Sequence, residues 1–75
     1  MNLKHMDEYA KLGLNIAYYR KYKMMTQLEL AEKVNISRSH MSRIEMSMCA
    51  VSLDVVFDIA KVLDIPVQKL FDFRD

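Results

Sequence analysis

Arg38, Ser39, His40, Ser42 and Arg43 are the residues of this chain best suited to do chemistry, and that chemistry is hydrogen bonding to nucleic acid. They lie within ISRSHMSRIE, where Ile36, Met41 and Ile44 take the apolar places. Helical spacing puts Met41 and Ile44 on one side and the polar residues on the other. Arginine forks onto guanine or phosphate, and serine hydroxyls reach base edges or phosphate oxygens. Ser37 is the expected N-cap and a further contact. Upstream runs QLELAEKV, a second short helical pattern. Ala31 is small where a larger side chain would hold the two helices apart. Asn35 falls at the corner, where the backbone needs positive φ, and asparagine tolerates it. Leu30, Val34, Ile36, Met41 and Ile44 can pack inward together. A helix with hydrogen-bonding side chains outward and another helix behind it suits a DNA major groove. Gln27, in the first turn of the leading helix, can aim its amide and a backbone N–H at a phosphate.

Other chemistries find no support. His5, His40 and Cys49 match no metal-ligand spacing, so no metal is expected. There is no nucleophile–base pair, carboxylate pair or Gly-rich phosphate loop, so no enzyme, cofactor or small-molecule ligand is expected. The single Cys cannot form an internal disulfide, which fits a reducing cytoplasm. No apolar run approaches the ~18 residues of a membrane span, and MNLKHMDEYAK lacks a secretory apolar region. The seven Met residues read as gap fillers, with Met25 and Met41 in the core.

Seventy-five residues, 52% of them hydrophobic, make one small domain. It is expected over 7–73, with tails at 1–6 and 74–75. The pattern predicts an all-α, compact five-helix bundle. The first helix covers 7–22, with Tyr9, Leu12, Ile16 and Tyr19 inward. The second opens at Thr26, where TQLE forms a capping box and Met25 staples onto Leu30. The third runs from Ser37 to about Met46. Ser52 caps the fourth, whose stripe is Leu53, Val56, Phe57, Ala60 and Leu63. The fifth starts near Pro66, a residue tolerated at a helix start.

Charge is uneven. Residues 1–50 carry eight Lys or Arg against five Asp or Glu, while residues 51–75 carry three against five. The overall charge is only +1, but a basic half for phosphate and an acidic half facing away is the polarity of a small DNA binder.

The chain resembles the Xre/Cro-like helix-turn-helix family of repressor-type DNA-binding domains. The resemblance rests on Ile16 and Arg20, then MTQLELAEKV, ISRSHMSRIE, SLDVVFDIAKVLDI and VQKLF. It covers roughly residues 12 to 71. It implies a sequence-specific transcriptional regulator of double-stranded DNA, acting as a repressor through its third helix. It also implies that Gln27 meets the DNA backbone and that Arg20 and Glu45 form a salt bridge between the first and third helices. A homodimer would read two half-sites about 34 Å apart, pairing through Leu70, Phe71 and Phe73. Two departures stand out. Ser47 ends the third helix where the family commonly has glycine, and loop 48–51 is apolar where the family carries proline and basic residues. That loop could meet DNA or protein, and the rival reading is a protein-binding antitoxin or adaptor module.

Overall fold

Acidic residues at one end and basic ones at the other start the architecture. Asp7 and Glu8 sit in the first turn of helix α1, Met6–Tyr22, and Arg20 and Lys21 in its last, as the helix dipole favours. The computed structural model describes residues 4–73. Residues 1–3 and 74–75 of the expected tails lie outside the described residues, whereas Met6, also expected in a tail, opens α1. Leu12 and Ile16 enter the core, with Tyr9 and Tyr19 half-buried beside them.

The next three helices begin on a side-chain cap. In α2, Gln27–Lys33, the Thr26 hydroxyl accepts from the Glu29 N–H at 3.0 Å, and the Thr26 N–H donates to Glu29 Oε1 at 2.8 Å. Ser37 accepts from the His40 N–H at 2.9 Å at the start of α3, Arg38–Glu45. Ser52 accepts from the Val55 N–H at 3.2 Å at the start of α4, Leu53–Leu63. Each cap satisfies a donor that the helix itself cannot.

Left-handed residues end all four helices: Met24, Asn35, Ser47 and Asp64 have φ between 57° and 63°. After α2, for example, the Ile36 N–H returns to the Ala31 carbonyl and the Asn35 N–H to the Glu32 carbonyl. This pairing closes the helix end. None of the four is glycine, although glycine takes that conformation with least strain. The only glycine of the chain, Gly13, lies inside α1, where glycine is unfavourable by about 1 kcal/mol relative to alanine. Packing explains it. A Cβ there would stand 2.5 Å from the Ile44 carbonyl oxygen and 2.9 Å from that of Glu45. Gly13 lets α1 lie directly against the end of α3.

Two expectations are corrected. The predicted fifth helix is a single 3₁₀ turn, Val67–Lys69, so the bundle has four α-helices. Buried Asn15 of α1 donates its amide to the carbonyls of Leu70 at 3.0 Å and Asp72 at 3.2 Å. The segment after the turn is thereby bound to α1 rather than wound into a helix. The α4 stripe is also different. Val56, Ile59, Ala60 and Leu63 are buried, whereas Leu53 and Phe57 are exposed. The helix carries apolar residues on two sides, and packing selects the one containing Ile59. Among the described residues there is no strand.

Candidate nucleic-acid interface

The left-handed turn at Asn35 swings the chain from α2 into α3. Leu30, Ala31 and Val34 of the first element meet Met41 and Ile44 of the second in the core. With Met41, Ile44 and Glu45 turned inward, Arg38, Ser39 and Arg43 are exposed, and His40 and Ser42 half-buried. The Ser37 hydroxyl is engaged as cap, and the Ser42 hydroxyl lies 3.7 Å from Met46 Sδ. The five polar residues singled out from the sequence thus share one short helix.

A buried cluster fixes how that helix is held. Arg20 Nε donates to Glu45 Oε2 at 2.6 Å and Nη2 to Oε1 at 3.0 Å. Arg20 Nη1 donates to the Met25 carbonyl at 2.8 Å, and Gln27 Nε2 donates to Glu45 Oε1 at 3.0 Å. The two charged side chains are only 9% and 5% exposed. One carboxylate therefore ties together α1, the linker after it, the start of α2 and the end of α3. The bidentate fork gives it a defined orientation. Gln27 was expected on phosphate, but one of its two amide hydrogens is committed to Glu45. The same Glu45 lies beside Gly13, so the ion pair and the close helix approach occur at one place.

The capping carboxylate has a displaced pKa. Hydrogen bonds from the Thr26 backbone and then its side chain hold the Glu29 carboxyl below its ordinary value, with a smaller lowering from Lys33. This stabilises the entry to α2. It is a structural role, not a contact to a partner.

The expected dimer contacts do not stand together. Leu70 is fully buried in its own chain and presents no side-chain surface. Phe71 is exposed and Phe73 half-buried, their rings 6.3 Å apart. In loop 48–51, Met48 is exposed while Cys49 and Val51 pack partly on the core. His5 lies beside Glu8 at 3.9 Å. Among the described residues no cluster of His, Cys, Asp and Glu is placed to hold a metal ion, and no helix is long and apolar enough to cross a membrane.

Sequence reasoning missed Gly13 and Asn15. A lone glycine inside a helical pattern was a visible signal for the first. An asparagine between Leu12, Ile16 and Tyr19 was a weaker one for the second.

The helix-turn-helix family model matches residues 16–70, most of the chain. An uncharacterised HTH-type transcriptional regulator of Methanocaldococcus jannaschii is 33% identical over 60 residues, covering 80% of this chain and 91% of the relative. The chain belongs to the helix-turn-helix family of transcriptional regulators. The immunity repressor protein of Bacillus phage phi105 is 37% identical over 59 residues, 79% of this chain but 41% of the repressor. The chain thus matches under half of that relative's length. The N-terminal DNA-binding domain of SinR from Bacillus subtilis superposes with a TM-score of 0.79 at 33% identity, covering 87% of this chain and 96% of that domain. In this family setting α2 and α3 are the helix-turn-helix, and α1 and α4 are its scaffold.

Proposed function

We propose that this helix-turn-helix protein is a sequence-specific repressor that inserts α3 into the major groove of double-stranded DNA, as a cytoplasmic homodimer on an inverted repeat. The observation that carries the reading is the division of α3: Arg38, Ser39 and Arg43 face out, while Glu45 is locked to Arg20 behind them. A reading helix must present its donors without moving, and the buried fork supplies that rigidity. Arg38 and Arg43 read guanine or grip phosphate, Ser39 and Ser42 meet base edges or backbone, and Ser37, His40 and Gln27 lie at the phosphate margin. Gln27 does so with the amide hydrogen that Glu45 does not use. The related phage repressor and the SinR DNA-binding domain support the same assignment. Of the expected pairing residues, Phe71 and Phe73 keep accessible surface.

The test is selection of bound sites from random duplex DNA, followed by titration of Arg38→Ala and Arg43→Ala. Each replacement is expected to weaken the cognate site by about 1–3 kcal/mol and relax base preference at its own position. Wild-type affinity in both variants would overturn the assignment of α3. Exposed Met46 and Met48 at the end of α3 favour the rival adaptor reading. That reading predicts no duplex binding with a steep salt dependence.

A further inference from the structure

Helix α1 is apolar on two sides. Leu12 and Ile16 fill the core, yet Leu14 is 67% exposed, Tyr18 50% and Tyr22 70%. A surface helix ordinarily keeps its outer side polar. The outer stripe has a regular order: Asp7, Lys11, Leu14, Tyr18 and Lys21 recur at steps of four and three residues, the spacing of a helix–helix seam. Asp7 and Lys21 are exposed, and each lies seven residues from Leu14.

We propose that the outer face of α1 is a self-association surface on which two copies pack their α1 helices antiparallel about Leu14. This rests on the homodimer reading above and deepens it by naming the surface. The stripe is self-complementary under a two-fold axis, as an isologous contact must be. With Leu14 on the axis, Asp7 of each copy meets Lys21 of the other at both ends. Tyr18 falls opposite Ala10 of the second copy and Lys11 opposite its Ala17, so large side chains face small ones. A concavity of about 480 Å³ along this face, lined by Leu14, Ala17, Tyr18 and Phe73 among others, can receive the opposing helix.

The arrangement also fits the DNA reading. Gly13 and Arg20 mark the side of α1 that touches α3. The Leu14–Tyr18 stripe lies more than a quarter-turn from it, facing away from Leu12 and Ile16, so a second α1 seated there leaves α3 uncovered. Packed helices sit about 8–10 Å apart. A 17-residue helix is about 25 Å long, and one such pair covers less than the ~800 Å² per partner of a standard interface. The dimer is therefore weak in solution and is completed on the operator.

The experiment is a charge exchange read by sedimentation equilibrium at high protein concentration and by cross-linking. Asp7→Lys and Lys21→Asp alone each place like charges at both ends of the pair. Each is expected to weaken self-association roughly tenfold, while an equimolar mixture recovers it as heterodimer. In a Cys49→Ser background, Leu14→Cys is expected to form a symmetric disulfide, and Phe71→Cys is not. Cross-linking through Phe71→Cys alone, with no effect of the charge exchange, would leave the homodimer standing and overturn the α1 surface. A protein that stays monomeric free and on an inverted repeat would overturn both.

Discussion

Replacing Glu45 with alanine is the sharpest perturbation of the architecture behind the reading helix. The carboxylate takes three hydrogen bonds, two from Arg20 and one from Gln27. Removing it leaves a guanidinium that is about nine-tenths buried with only the Met25 carbonyl as partner. Stranding one member of a buried pair costs about 3–5 kcal/mol. A 75-residue chain has a total stability of roughly 4–11 kcal/mol, so the loss is a large fraction of the whole. At about 4–8 °C per kcal/mol for a domain of this size, Glu45→Ala should melt at least ~12 °C below the parent. The assay is thermal unfolding followed by far-ultraviolet circular dichroism at neutral pH. Thr26→Ala serves as a reference for a lost cap, about 1 kcal/mol or ~4–8 °C. The double variant Arg20→Met with Glu45→Leu removes both charges and should recover most of the loss, since an apolar pair carries no desolvation penalty. If Glu45→Ala melts no lower than Thr26→Ala, the pair is not buried in solution and the rigid-frame argument for α3 fails.

Gly13→Ala gains about 1 kcal/mol of helix propensity, but its Cβ meets the Ile44 carbonyl oxygen at 2.5 Å. Net destabilisation of about 1–2 kcal/mol is expected, and a rise in the urea midpoint would refute the close approach. Met24→Gly should do the reverse. Met24 is 90% exposed and left-handed, so relief of about 1–2 kcal/mol of backbone strain outweighs the added chain entropy of glycine, for a gain of up to ~1 kcal/mol in the same titration. For Glu29, whose carboxyl pKa is lowered in the fold, the stabilisation is present above the ordinary value of 4.5 and is lost as pH falls through the lowered one. Glu29→Gln should therefore be less stable than the parent at neutral pH, with the gap closing on acidification. A gap independent of pH would assign the effect to something other than charge. Asn15→Ala should release the segment holding Leu70 and Asp72, raising amide exchange at residues 70–73 before it affects α2 or α3. Uniform exchange across the chain would contradict a local latch.

The parts legible in the sequence were those decided within a few residues. Thr26, Ser37 and Ser52 announce helix starts because a cap and its target N–H lie three positions apart. Asn35 announces the turn because its own backbone tolerates positive φ. Met24 and Ser47 adopt the same conformation without any such signal, since the close of the helix imposes it on whatever residue follows. α4 shows the limit of pattern reading. LDVVFDIAKVL reads as a stripe through Leu53, Val56, Phe57, Ala60 and Leu63, of which Val56, Ala60 and Leu63 are buried, and only the position of α1 and α2 turns the buried face from Leu53 and Phe57 towards Ile59. The fifth helix failed for a related reason. VQKLF is compatible with a helix locally, but Asn15, some 55 residues earlier, takes the carbonyls beyond it. Leu70 looked like surface for a partner only while that turn was read as an independent helix.

These long-range decisions converge on α1. Along seventeen residues it provides a gap at Gly13 for the end of α3, a latch at Asn15 for the C-terminal segment and a clamp at Arg20 for Glu45. Gly13 and Arg20, two turns apart, share the side that meets α3, and Asn15 sits on another, so α1 has no clean division into an apolar and a polar side. An ordinary scaffold helix needs one buried side. Here Leu12 and Ile16 fill the core, Gly13 and Arg20 meet α3 and Asn15 holds the C-terminal segment, while exposed Leu14 and Tyr18 lie on the outer face between Asp7 and Lys21. Covering Leu14 and Tyr18 from water requires an approach from outside the chain. A second α1 meets that requirement with the pairing of Asp7 and Lys21, and it does so from the face turned away from Leu12 and Ile16, leaving Arg38, Ser39 and Arg43 open to DNA.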